Sequence, residues 1–373
     1  MNKPVEYHYG KFPPENINWE GLVPFIGRAN AALARYDGTL SAIPNANVLL
    51  SPLSTQEAVL SSKIEGTQAT MGEVLEYEAE EGLKDAKPER AADIQEVLNY
   101  RRAMWQAINL LETLPLCQRL IKETHCKLME GVRGYNKCPG EYRNIQNWIG
   151  PPGCTMEEAR FVPISADRLN QGMDVWEKYI HKEILDPLVQ LAVVHAEFEA
   201  LHPFLDGNGR LGRMCVPLFM FRRGLIQSPM FYISAYFEAH RDEYYDRLLA
   251  ISQNDDWNGW CAFFLKAVEK QAKNNQKKAK DILDLYEQKK NQIPKLTKSQ
   301  FGIHALDFIF KFPIFVGPSF TNTQRISLPT AKRILNLLKS SGIIKQVREP
   351  SGRSPALYTF TELLNIAEGS DVF

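Results

Sequence analysis

Apolar residues recur at three- and four-residue intervals along most of the chain, a spacing that predicts a mainly helical protein. The clearest run lies just before residue 203, where Ile184, Leu185, Leu188, Leu191, Ala192, His195, Phe198 and Leu201 or His202 share one helical face. Pro203 ends that helix, because a proline disfavours the α conformation in the residue before it. Leu211, Met214, Cys215, Leu218 and Phe219 mark a second helix running up to Gly224. Upstream, one helix is predicted from Pro52 to about Ser62, with Leu53, Ala58, Val59 and Leu60, and another after Thr70, with Val74 and Leu75. Gly66 lies between them, where a helix stops. A long amphipathic helix is predicted from Arg90 to about Leu111, and a further one through Leu120, His125 and Leu128. The opening segment, through about Asn47, is rich in Pro, Gly and Asn and reads as loops and one helix.

Two regions depart from this rhythm. Extended stretches at Ile145 to Ile149 and Arg160 to Ile164 flank a Pro-Pro-Gly turn and read as a hairpin with a broad loop. Between Glu269 and Lys298 the chain is polar and lysine-rich, yet Ala279, Ile282, Leu283 and Tyr286 keep helical spacing, so a solvated connecting helix is expected, with Pro294 marking a boundary. Beyond it, helices over Phe301 to Phe312 and Leu328 to Ser340, capped by Gly342, precede two short strands around a Ser-Gly-Arg turn. That segment resembles a winged helix-turn-helix.

Composition narrows the classes. Lys+Arg and Asp+Glu both number 44, so no global electrostatic pull toward nucleic acid or membrane follows. No run approaches the roughly 18 apolar residues of a membrane span, and the start MNKPVEYHYGKFPPENINW has no signal-peptide core. A soluble cytoplasmic protein without membrane partners is therefore expected. The cysteines at 117, 126, 138, 154, 215 and 261 show no zinc-ligand rhythm and read as reduced thiols, with Cys215 and Cys261 as small core residues.

Candidate chemistry concentrates in HPFLDGNGRLGR, His202 to Arg213, set between the two central helices. Gly207 and Gly209 let successive N–H groups converge on an anion, and the following helix adds its own unpaired N–H groups. His202 suits a general base. Asp206 suits a Mg²⁺ ion that also touches phosphate oxygens, or an Asx-turn that shapes the loop. Arg210 and Arg213 project from the first helical turn, where cations oppose the dipole unless an anion justifies them. No strand feeds the turn, which argues against Walker-type and Rossmann loops. A competing arrangement places His195, Glu199 and His202 on one face as metal ligands, but leaves the glycine turn and both arginines unexplained.

At these residues the sequence resembles the Fic family, whose signature HPFx(D/N)GNGRxxR is matched by His202, Pro203, Phe204, Asp206, Gly207, Asn208, Gly209, Arg210 and Arg213. The resemblance implies a Fic-type helical core with a small hairpin flap, transferring AMP from ATP to a hydroxyl side chain of a protein, or of the chain itself, with release of pyrophosphate. It implies His202 as the base that deprotonates the target and Asp206 as the Mg²⁺ ligand. Residues Gly207, Asn208, Gly209, Arg210, Leu211, Gly212 and Arg213 would form the ATP-binding run, with Arg213 on the γ-phosphate. Ser61, Glu65 and Gly66 match the family's inhibitory pattern (S/T)xxxE(G/N), in which the glutamate bonds the second arginine and occupies γ-phosphate space. The hairpin sits where the family has a flap that receives target by strand addition. Within Ser234 to Asp246, Tyr244 or Tyr245 would contact adenine, aromatic core packing being an equally good account of either.

Four regions are expected on this reading: a helical region carrying the inhibitory motif (1–112), a catalytic core (113–270), a connecting helix (271–298) and the winged-helix-like segment (299–373). The alternative from another class is a DNA-binding regulator, with Lys332, Arg333 and Lys339 on the recognition helix and Arg348 and Arg353 in the wing. A Fic enzyme that uses another nucleotide donor, or removes AMP, is a further alternative. Homodimerisation is left open by the sequence.

Overall fold

The structure is a computed structural model that describes residues 3–43, 45–80, 88–132, 136–322, 326–352 and 354–371. It is mainly helical, as the periodicity predicts. Along the chain come β1 (Val5–Glu6), α1 (Trp19–Ser41), α2 (Ala46–Leu49), α3 (Ser51–Ile64), α4 (Met71–Ala79), α5 (Pro88–Leu110) and α6 (Gln118–Leu128). Then follow β2 (Phe161–Val162), α7 (Leu169–His181), α8 (Pro187–Leu201), α9 (Asn208–Arg222), α10 (Ser234–Ala239), α11 (Arg241–Asn254) and α12 (Trp257–Thr297). The last stretch holds α13 (Gly302–Lys311), β3 (Ile314–Val316), α14 (Gly317–Thr321), α15 (Leu328–Ser340), β4 (Lys345–Arg348), β5 (Leu357–Thr359) and α16 (Thr361–Glu368).

The chain forms two compact units: residues 1–37, 60–67 and 98–273, and residues 38–59, 68–97 and 274–373. The four-part linear division does not describe this, because the N-terminal helical region contributes to both units. The expected connecting helix is the second half of α12, with Pro294 inside it rather than at its end.

In the first unit α8 is the central element. Asp186 caps it, accepting from the Leu188 and Val189 N–H groups at 2.9 Å, and Pro187 supplies a preset first turn. Its residues from Leu188 to Phe198 are buried on every side, and α7, α9 and α11 pack around it. The expected hairpin is only partly a hairpin. Ile149 makes a single antiparallel bridge to Phe161, while β2 pairs in parallel with β1, a strand in the segment read as loops. Side chains take up carbonyls that a longer ladder would use: Arg143 donates to Ile145 O and Ile164 O, and Gln146 Nε2 to Pro163 O.

In the second unit, Thr70 caps α4 through a reciprocal box with Glu73. Three antiparallel strands lie in the order β3-β5-β4, α4 packs on β3, α14 on α15, and α13 on α2. Gly342 follows α15 at φ 73°. The two strands around the Ser-Gly-Arg turn are present, joined near their tips by the Ser351–Ser354 bridge; Arg353 lies outside the described residues. Among the described residues no helix is long and apolar enough to cross a membrane.

Candidate active site

The turn between α8 and α9 is built by its own residues. His202 caps α8 in the left-handed region at φ 46°, its N–H donating to Phe198 O at 3.1 Å. Asn208 closes the loop: its Oδ1 accepts from the Phe204 N–H and its Nδ2 donates to Phe204 O, both at 2.8 Å. Gly207 takes φ 77°, which an L side chain rarely adopts, and a Cβ there would meet Met129 Sδ at 2.9 Å. The first intrahelical bond of α9 runs from Leu211 N–H to Gly207 O at 3.1 Å, so the N–H groups of residues 208–210 stand at the helix mouth.

His125, which sequence reasoning placed only as a helix-face residue, shapes this loop. Its Nδ1 accepts from the Gly140 N–H at 2.8 Å, which makes Nε2 the protonated nitrogen, donating to Asp206 O at 2.9 Å. Its ring stacks on Phe204 at 3.7 Å. Burial pushes its pKa down to about 4. Arg143 is the second residue missed. Buried itself, it donates to His202 O at 3.0 Å, to Ile145 O at 3.1 Å, and to Ile164 O and Leu201 O, tying both arms of the flap to the end of α8. A lone arginine in a polar stretch carries no periodic signal of such a task.

Burial and nearby charges set the protonation states at the turn. Burial lowers the His202 pKa to about 4, against the opposing pull of Glu65, so the imidazole is neutral at pH 7. Asp206 is held below the usual carboxylate range: burial pushes it up, but Lys137 at 3.0 Å and Arg210 at 3.5 Å outweigh that.

Arg213 is 1% exposed and bound from the far side of the sequence. It donates from Nε to Ser61 Oγ at 3.0 Å, and from Nη2 to Ser61 O and to Glu65 Oε1, both at 2.7 Å. Gly66 ends the turn after α3 at φ 99°. Gly209 makes room for the pair, since a Cβ there would fall 2.2 Å from Glu65 Oε1. The Glu65 pKa is lowered, burial being outweighed by Arg213, Arg210 and His202.

Glu65 also lines a cavity of about 520 Å³ walled by Ile149, Pro151, Arg160 and Phe161 of the flap, by Glu199 of α8, and by Arg241 and Tyr245 of α11. Tyr245 faces this space. Tyr244 does not: it is a core residue, 1% exposed, stacked on Phe237 with its hydroxyl 2.9 Å from His195 Nε2. The other His195 nitrogen lies 3.2 Å from Gly212 O, so both are committed and the His195–Glu199–His202 metal face is not formed. Glu199 is a partly buried acid at the cavity wall, and desolvation pushes its pKa up to about 7. All six cysteines are free, and burial raises the thiols of Cys215 and Cys261.

The site thus joins a neutral histidine at a helix end, a glycine turn at the next helix's N-terminus, and a cavity reached through Glu65, all within a helical fold. The sequence pattern of the Fic/DOC family matches residues 115–220, and that of the Fic/DOC family N-terminal region matches residues 23–109, together just over half of the chain. The chain belongs to the Fic/DOC family. It is 26% identical over 205 residues to the protein adenylyltransferase Fic of Drosophila virilis, and 26% over 280 residues to that of Drosophila grimshawi. Those matches cover 53% and 71% of this chain but only 36% and 52% of the relatives' lengths. The fold is shared with a Fic family protein from Desulfovibrio desulfuricans G20, at a TM-score of 0.59 and 20% identity over 94% of this chain and 98% of that one. It is also shared with Fic-1 from C. elegans, at 0.52 and 17% over 73% and 79%.

Proposed function

We propose that the chain is an autoinhibited protein adenylyltransferase. In this reading neutral His202 takes the proton of a Ser, Thr or Tyr hydroxyl of a target protein, or of the chain itself. The oxygen attacks the α-phosphorus of ATP, and the bond to the leaving pyrophosphate breaks. The helix mouth at residues 208–210 and Arg210 hold phosphate oxygens, Tyr245 lies against the base, and Arg213 takes the terminal phosphate once Glu65 has left it. One ionised carboxylate beside a phosphate cradle is the donor set with which Mg²⁺ is held together with substrate phosphates, so Asp206 fits such an ion. Bound there, Mg²⁺ would neutralise polyphosphate charge.

The observation that carries the proposal is the Ser61–Arg213–Glu65 arrangement, which spends a phosphate-seeking guanidinium on an internal carboxylate. With labelled ATP and Mg²⁺, Glu65→Gly is expected to raise AMP incorporation and His202→Ala to abolish it; equal labelling in every variant overturns the reading. The DNA-binding alternative is less favoured, because three of its four described basic residues are engaged within the chain. Arg333 donates to Thr297 O at 2.9 Å, Lys339 to Gln346, and Arg348 pairs with Glu80 and Glu76, while Lys332 is exposed. A winged-helix-like role for residues 299–373 in protein contacts suits this better.

A further inference from the structure

The flap is held on its outer edge by the N-terminal segment. Val5 N–H donates to Arg160 O at 3.2 Å and Tyr7 N–H to Val162 O at 3.0 Å, continuing the parallel register of β1 on β2. Directly after β1, Tyr7 and His8 turn into the protein and close on one carboxylate, Glu197 of α8. Tyr7 Oη donates to Glu197 Oε1 at 2.5 Å, and His8 Nε2 lies 2.9 Å from Oε2. The second His8 nitrogen lies 2.7 Å from Ser252 Oγ of α11. Glu197 has no exposed surface and stands five residues before His202 on the same helix. A buried carboxylate has to be partnered, and both of its oxygens are taken by consecutive residues of one short segment. The helix that ends in the base thus fixes residues 7 and 8, these fix β1, and β1 fixes the strand whose Phe161 and neighbouring Arg160 wall the cavity.

We propose that Glu197 is a positioning residue: by clasping Tyr7 and His8 it sets the height of the flap over His202. This rests on the adenylyl-transfer reading for its kinetic consequence but not for its geometry. Loss of the clasp lowers turnover by misplacing the acceptor while leaving the phosphate contacts in place.

The test uses the Glu65→Gly chain with ATP and Mg²⁺, self-labelling followed over time by intact mass with its maximal rate taken as kcat and its half-saturating ATP as KM, alongside amide hydrogen exchange. Glu197→Gln keeps an acceptor for Tyr7 and offers His8 a donor, and should retain the parent's kcat. Glu197→Ala and Tyr7→Phe should lower kcat on the order of tenfold, with KM for ATP changed by less than about twofold. Exchange should rise jointly in residues 5–9 and 160–165, with α8 and α9 still protected. Exchange rising throughout the chain with a fall in melting temperature and a kcat loss shared by Glu197→Gln marks a merely structural tether and overturns the proposal. So does unchanged flap exchange in Tyr7→Phe, which is the decisive variant if Glu197→Ala fails to fold. A parent that never labels defeats the adenylyl-transfer reading instead, and the exchange pattern still decides whether the clasp holds the flap.

Discussion

Arg213 and Glu65 are 148 residues apart in the chain and form an ion pair at 2.7 Å, with Ser61 accepting two more bonds from the same guanidinium. The arginine is buried, whereas the Glu65 side chain is 33% exposed. A contact of this kind is worth about 4 kcal/mol at 4 Å and an effective dielectric of 20, before desolvation, and Glu65's partial exposure reduces that. The carboxylate is therefore held by a buried guanidinium on one side and open to solvent on the other, as the proposed displacement by a phosphate requires.

Glu65→Gly is expected to tighten ATP binding on the order of 10- to 100-fold, since about 1.4 kcal/mol is tenfold. Ser61→Ala, which removes one of the three bonds, should give a smaller gain in the same direction. Calorimetric titration of ATP into each variant checks both.

On the adenylyl-transfer reading, Glu199 is expected to make nucleotide binding pH-dependent. A raised acid is neutral below its folded pKa, here about 7, and charged above it. As pH rises through 7 a second carboxylate appears beside Glu65, Arg213 and His195, and it opposes an incoming triphosphate. Nucleotide KM should climb with pH in Glu65→Gly, over a range shifted below that of wild type because Glu65 is one of the groups that raise Glu199, and stay flat in Glu65→Gly/Glu199→Gln.

His125 ties the loop's stability to pH. Its folded pKa is depressed from 6.5 to about 4, so the unfolded chain binds the extra proton first as the medium is acidified. Its contribution is complete above pH 6.5 and is lost between 6.5 and about 4, with a slope of about 1.4 kcal/mol per pH unit. Denaturant titrations at several pH values should show a shallower acid loss in His125→Asn than in wild type over that window.

Arg143→Lys should cost about 2 to 4 kcal/mol of stability, because a lysine cannot fork to the carbonyls of Ile145, Ile164, Leu201 and His202, and stranded buried acceptors are expensive. Chemical denaturation checks the magnitude.

Much of this architecture is written in the spacing of apolar residues. The end of helix α8 at His202 was legible from Pro203, but its start was read too early: Ile184 and Leu185 precede the Asp186 cap, Leu185 is exposed, and the helix is buried on all sides rather than along one face. The tight turn was legible from its glycines, although only Gly207 takes a left-handed conformation; Gly209 is helical and is needed for the space its missing Cβ leaves to Glu65. Glu65 was named from a short pattern, but its grip on Arg213 is a long-range contact that no local spacing encodes. Strand β1 went unseen because two residues pairing with a partner some 155 positions away leave almost no periodic trace. Tyr244 and Tyr245 show the resolution limit of reading by sequence: neighbours on a helix point about 100° apart, so one is core and the other faces the cavity. Arg143, His125 and Glu197 act through carbonyls and buried partners that only the folded chain brings together.

The claim that Glu65 holds the enzyme off by occupying Arg213 is tested most directly by intact mass after incubation with ATP and Mg²⁺, comparing wild type with Glu65→Gly. The account predicts a mass gain equal to AMP in Glu65→Gly, far above wild type, and none in Glu65→Gly/His202→Ala. An equal gain in wild type and Glu65→Gly, or one that survives the loss of His202, would contradict it.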